Sequence, residues 1–389
     1  MRLPLLNSRM APMGTTIFAE MSAMAVATGS VNLGQGFPDT DGPAVVAEAA
    51  AAAIMAGRGN QYPPGPGVPE LRRAIAAHQQ RFYGLEVNPD TEVLVTAGAT
   101  EAIAASLLAL TEPGDEVIAF EPYYDSYAAC IALAGAVRVP VTLRPPGFRP
   151  DLDALRAAIT PRTRLILLNS PHNPTGAVFS RAELTAIADL AIEHDLLVIT
   201  DEVYEHMVFD GEHVPIVTLP GMAGRTVTIS SAGKTFAFTG WKIGWVTGSA
   251  ELVTAVRTVK QFLTFVSGGP FQYAVAEGLA LPDSYYAQLN GDLRARRDLL
   301  CDGLAEAGFA VYRPAGTYFV TTDISSLGET DGIAFCRALP QRAGVVAIPA
   351  AVFYDDAKAG ESLVRFAFCK KPEVLEEALT RLRRSLAPA

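Results

Sequence analysis

Residues 196–204 read Leu196-Leu-Val-Ile-Thr-Asp-Glu-Val-Tyr204: an apolar, partly β-branched run, two acids, and a tyrosine three residues past the first acid. A short run with no polar face suits a strand covered by helices on both sides, as in a parallel sheet. Four further runs have the same form: Val93-Leu-Val-Thr96, Glu116-Val-Ile-Ala-Phe120, Leu165-Ile-Leu-Leu168 and Thr226-Val-Thr-Ile229. Ala/Leu-rich stretches that read as helices lie between them, for instance residues 100–110. The alternation predicts an α/β fold with a mostly parallel sheet flanked by helices.

The last third differs. Residues 289–307 read as a charged amphipathic helix, 316–320 and 363–368 as alternating strands, and 372–386 as a closing helix. This predicts a large domain over residues 45–285 and a smaller α+β domain from 1–44 together with 286–389. With 389 residues, half of them hydrophobic, the chain has material for more than one ordinary domain.

A net charge of -10 argues against nucleic acid or an anionic membrane as the main partner. The Ala-rich run over 45–56 is interrupted by Glu48 and reads as a helix, not a membrane span. The first residues, MRLPLLNSRMAPMG, lack the apolar core of a signal peptide. Cys130, Cys301, Cys336 and Cys369 are scattered, with no metal spacing, and read as buried thiols in a reducing cytoplasm. His172, His194, His206 and His213 read as loop or core histidines, and no metal is expected.

In open parallel sheets, ligands bind beyond the carboxyl ends of the strands. The residues found there are Gly98-Ala-Thr-Glu101, Glu121-Pro-Tyr-Tyr124, Asn169 to Gly176, Asp201 to Tyr204, and Ser230-Ser-Ala-Gly-Lys234. The last group runs on to Lys242 with no acid to pair with either lysine. A buried, unpaired ammonium is costly. One reading is a nucleotide-binding P-loop at Gly233-Lys-Thr235, but that pattern needs a glycine where Thr228 stands. The other is an aldehyde cofactor with a phosphate. Lys234 would form a Schiff base with it and Lys242 would neutralise the phosphate. Ser231 and the backbone of Ala99 and Thr100 at a helix N-terminus would complete the cradle. Asp201 would face the pyridine nitrogen, Tyr204 and Asn173 the phenolic oxygen, and Tyr124, or else Tyr123, the ring face.

Three motifs in this order carry a family resemblance: Asn-Pro-Thr-Gly at 173–176, Asp-Glu-Val-Tyr at 201–204, and Ser-x-x-Lys-x-Phe-x-x-x-Gly-x-Lys-x-Gly at 231–244. The chain resembles the class I, fold-type I pyridoxal-phosphate aminotransferases from about Val31 to Cys369. Asn32-Leu-Gly-Gln-Gly-Phe-Pro-Asp39 is similar to the kynurenine, glutamine and methionine branch. Asn60 to Gly67, Ser126-Tyr127 and Phe18-Ala-Glu-Met-Ser22 look most like actinobacterial N-succinyldiaminopimelate aminotransferases.

The resemblance implies pyridoxal 5'-phosphate as cofactor, with Gly98 joining Ala99 and Thr100 at the phosphate. It implies Arg365 as clamp for the substrate α-carboxylate, with the Gly36 N–H on the same group and Phe18 against the side chain. Tyr62 is expected to reach the partner's phosphate across a homodimer interface. Amino transfer between an amino acid and a 2-oxo acid is the implied reaction. A β-lyase on the same fold is one rival, and a non-catalytic ligand-sensing domain another.

Overall fold

The computed structural model describes residues 5–11, 13–14 and 16–386. Residues 1–4, 12, 15 and 387–389, which belong to the N-terminal reading and to the expected small domain, lie outside the described residues.

A seven-stranded sheet forms the centre, in the spatial order Val93–Thr96, Gly244–Thr247, Thr226–Ser231, Leu197–Asp201, Thr163–Asn169, Glu116–Glu121, Val137–Thr142. The last five are mutually parallel, and Gly244–Thr247 runs antiparallel to both of its neighbours. The five expected runs all form strands here. Glu116–Glu121 and Thr226–Ser231 are buried at every residue, as expected of strands covered on both faces. The register sets Asn169 beside Asp201, and Gly244 opposite both Thr96 and Ser231. The strand-end polar residues therefore line up along one edge.

Ile348–Pro349, Leu363–Ala367, Phe319–Asp323 and Ala310–Tyr312 form a separate antiparallel sheet. The strand expected over 316–320 begins later, at Phe319. Thr317 has φ +67°, and the N–H groups of Gly316 and Thr317 go to Gly176 and Met207 in loops. A left-handed residue breaks the extended run. Val31–Asn32 pairs in parallel with Val345–Val346, so the N-terminal segment joins the last third of the chain. The helix expected over 289–307 extends over Asp283–Glu306. Among the described residues, no helix is long and apolar enough to cross a membrane.

Candidate active site

The helix Gly98–Leu110 follows the strand Val93–Thr96 and starts two residues earlier than the sequence suggests. Its N-cap, Ala97, offers no side-chain acceptor, and Glu101, whose other oxygen accepts from Thr264 Oγ1 at 2.7 Å, turns back to the Ala97 N–H at 2.6 Å and not to the N–H groups inside the helix. The first N–H groups of the helix thus remain open for an anion. Gly98 has φ +72°, and a Cβ there would stand 3.2 Å from Lys242 Nζ. A Cβ on Gly244 would stand 2.6 Å from the Gly98 carbonyl carbon. Two glycines let the lysine, the helix start and the strand meet.

These groups line a cavity of about 350 Å3 together with Ser231, Lys234, Asp201, Tyr204, Tyr124, Asn173, Gly36, Phe18 and Arg365. Lys234 lies in a one-turn helix, Ala232–Thr235, with Ser231, the last residue of a strand, at its N-cap position but making no side-chain capping bond. Its Nζ stands 5.8 Å from the ring centre of Tyr204 and 5.7 Å from that of Tyr318. Burial pushes the Lys234 amine below the ordinary lysine range, against the pull of Cys369 and Asp201, and Lys242 and Arg365 push the same way as burial.

Asp201 is held from three directions. Tyr127 Oη donates to Oδ2 at 2.7 Å, the Val203 N–H donates to Oδ1 at 3.3 Å, and Asn169 Nδ2 donates to the Asp201 carbonyl at 2.7 Å. Burial pushes its carboxyl up, while the Tyr127 hydroxyl and the Val203 N–H oppose that shift. Asn169 Oδ1 accepts the Asn173 N–H at 2.7 Å, and Asn173 Oδ1 accepts from Arg365 Nη1 at 3.1 Å. One chain of hydrogen bonds therefore joins the aspartate to the arginine.

Arg365 is 1% exposed. Its hydrogen bonds go to neutral oxygens, Asn173 Oδ1 and the Gly34 carbonyl, and its Nε has no partner among the described residues. Phe319, Phe18 and Phe353 surround the guanidinium at 4.1, 5.2 and 5.2 Å. Burial pushes its pKa down to about 10. A buried guanidinium with an open donor and no anion calls for a carboxylate from outside.

The residues given a site role in the sequence line the cavity, except the alternative Tyr123 and Tyr62, which lies on the surface, 85% exposed, edge-on to Phe265. Tyr124 lines the cavity, whereas Tyr123 points elsewhere and donates its hydroxyl to Asp355. Tyr127, Phe319, Gln35, Thr239 and Ile243 also line it and went unassigned in the sequence. Tyr127 stands in an apolar helix, Asp125–Ala134, where an aromatic reads as core. The four cysteines are buried, as expected. Of the histidines, His172 bonds Thr175, His206 bonds His78 and His213 bonds Glu202.

The donor set suits pyridoxal phosphate. An uncapped helix start, a serine and a lysine fit its phosphate, a buried carboxylate fits the ring nitrogen, and a part-buried lysine whose pKa is pushed down by burial fits the aldehyde.

The family description "Aminotransferase class I and II" matches residues 28–382. A probable N-succinyldiaminopimelate aminotransferase of Mycobacterium tuberculosis is 56% identical, covering 96% of this chain and 97% of its own. The methionine aminotransferase of Escherichia coli is 42% identical, covering 97% of each. The solved structure of the N-succinyldiaminopimelate aminotransferase from M. tuberculosis superposes with TM-score 0.96 at 57% identity, covering 98% of this chain and all of that one. The chain belongs to the class I and II aminotransferase family and, like other members with this fold, is a pyridoxal-phosphate-dependent enzyme.

Proposed function

We propose that the chain exchanges the amino group of N-succinyldiaminopimelate with a 2-oxo acid such as 2-oxoglutarate, as a cytoplasmic homodimer. The support for this donor is the 56% identity to the M. tuberculosis relative, against 42% to the methionine enzyme. The observation that carries the residue roles is Arg365, buried with an open Nε beside the cavity.

Pyridoxal phosphate, when bound, supplies an aldehyde that accepts the amino group and a ring that takes up the charge left at Cα. The chain supplies the rest. Arg365 grips the α-carboxylate with two or more N–H donors, and Gly36 adds its backbone N–H. Phe18 closes over the side chain and excludes water. Lys234, disposed to be neutral by its burial, takes the proton from the substrate Cα and later returns a proton on the same face. The buried carboxylate of Asp201, oriented by Tyr127, would face the ring nitrogen. Tyr204 and Asn173 would serve the ring oxygen, and Ser231, Lys242 and the Gly98–Thr100 backbone would hold the phosphate. Tyr124 would pack against the ring. Because donor and acceptor use the same clamp in turn, the kinetics should be ping-pong.

The test is a screen of donors with 2-oxoglutarate: N-succinyldiaminopimelate, methionine, kynurenine, glutamine and glutamate. N-succinyldiaminopimelate should have the highest kcat/KM. A higher value for methionine or kynurenine would overturn the donor assignment. Ammonia and pyruvate from a cysteine conjugate without an oxo acid would show the β-lyase instead.

A further inference from the structure

The peptide that turns Asp201 and Tyr204 toward the cavity turns two acids the other way. Glu202 and Glu205 are both buried, behind the site. Glu202 accepts from Thr200 Oγ1 at 3.1 Å and meets His213 Nε2 at 3.0 Å. Glu205 accepts from Tyr83 Oη and from Ser230 Oγ, each at 2.5 Å. Beside it lie His78 and His206, their Nε2 atoms 2.7 Å apart, packed against Phe82 and Tyr286. Burial works against a charge on Glu205, yet the two histidines and two hydroxyls hold its carboxyl below the ordinary range. No step of the reaction uses these groups.

We propose that Glu205 is a positioning residue for the cofactor's phosphate cradle and for Lys234. Ser230 directly precedes Ser231 on the strand Thr226–Ser231, which runs straight into the helix that carries Lys234. Glu205 directly follows Tyr204 in a turn closed by the Glu205 N–H to Glu202 carbonyl bond at 2.9 Å. Tyr83 ends the helix Pro69–Tyr83. One buried carboxylate thus ties the tyrosine-bearing turn, the lysine-bearing strand and a covering helix into one frame. A charge-assisted bond in such a place is short, directional and stronger than a neutral one. The cost of leaving its donors unmet keeps the frame in a single arrangement. The inference rests on the reading of Ser231 and Lys234 as cofactor contacts.

The experiment compares wild type, Glu205→Gln, Ser230→Ala and the double variant. Each apoprotein is titrated with pyridoxal phosphate by fluorescence quenching, its Tm is recorded, and the visible band of the loaded protein is followed against pH. Each single variant should raise the Kd about tenfold and move the pH midpoint of the band. The apoprotein Tm should fall too little to account for that loss. The double variant should bind no worse than Glu205→Gln, because both changes remove the same bond. Where Glu205→Gln does not fold, Tyr83→Phe, which removes one donor and no core volume, should show the same rise in Kd. Unchanged Kd and band, losses that add in the double variant, or a Kd rise explained by the Tm would overturn the proposal. Wild type that takes up no pyridoxal phosphate would overturn the site reading as well. Wild type that binds beside variants that bind equally well would remove this inference alone.

Discussion

Arg365 shows how much one residue's surroundings decide. Three aromatic rings remove it from water, and its hydrogen bonds reach only neutral oxygens. Arg365→Lys keeps the charge but loses the planar fork, so both half-reactions should slow together, by about 2–4 kcal/mol in transition-state binding. Single-turnover spectra with donor and with acceptor measure this, and a loss confined to one half-reaction would contradict the shared clamp. Lys234 makes a second residue-scale prediction. Its folded pKa is lowered by burial, while the unfolded chain keeps the ordinary value of about 10.4. Between those two values the unfolded state binds more protons, so this residue's contribution makes the apoprotein more stable as pH rises. Lys234→Ala removes that slope. The Tm of wild-type apoprotein should therefore gain on that of Lys234→Ala from neutral to alkaline pH. A constant gap would mean that the amine is not depressed. The same variant should lose amino transfer by several orders of magnitude in a steady-state assay, since the proposed base and the amine proposed to hold the aldehyde are removed together.

At the scale of elements, the proposed phosphate cradle depends on the strand Gly244–Thr247 lying against the start of the helix Gly98–Leu110. The approach is closer than any Cβ permits, since one added at Gly244 would sit 2.6 Å from the Gly98 carbonyl carbon and 2.8 Å from the Ala99 nitrogen. Both are backbone atoms and cannot rotate away. Gly244→Ala should push the helix start outward, cost about 1–3 kcal/mol of stability and weaken pyridoxal phosphate binding. Thermal melts of the apoprotein and a cofactor titration check the two effects separately. Normal cofactor affinity would show that the helix start does not hold the phosphate.

For the whole molecule, the role proposed for the exposed Tyr62 needs a second copy. Tyr62 meets Phe265 edge-on at 5.7 Å, and Phe265 and its sequence neighbours Phe262 and Leu263 are exposed in the single chain as well. Exposed apolar side chains of this kind suit an interface. In a two-fold dimer each copy would supply Tyr62 to the other's phosphate. Tyr62→Phe should then weaken cofactor retention about tenfold while leaving the dimer intact, because only the hydroxyl is lost. Sedimentation paired with a cofactor off-rate measures both, and a fully active wild-type monomer at high dilution would contradict the shared site.

What the sequence determined by itself is local in origin. Apolar runs of strand length, each ending in polar, turn-forming residues, announce a parallel sheet and the edge where a ligand binds, because burial on both faces leaves a mark within a few residues. That is why Gly98, Asn173, Asp201, Ser231 and Lys234, which line one cavity, stand out in the sequence as strand-end candidates. The tertiary structure alone decided what depends on partners far apart along the chain. Tyr127 reads as core in its own helix, and only the sheet register brings its hydroxyl to Asp201, 74 residues away. The rings around Arg365 come from three separate segments, and the donors on Glu205 from two others. The strand expected at 316–320 shifted because Thr317 and Gly316 bond to distant loops. Periodicity reports what a segment buries; the neighbour it buries against, and so the partner of each polar atom, is set only when the layers close.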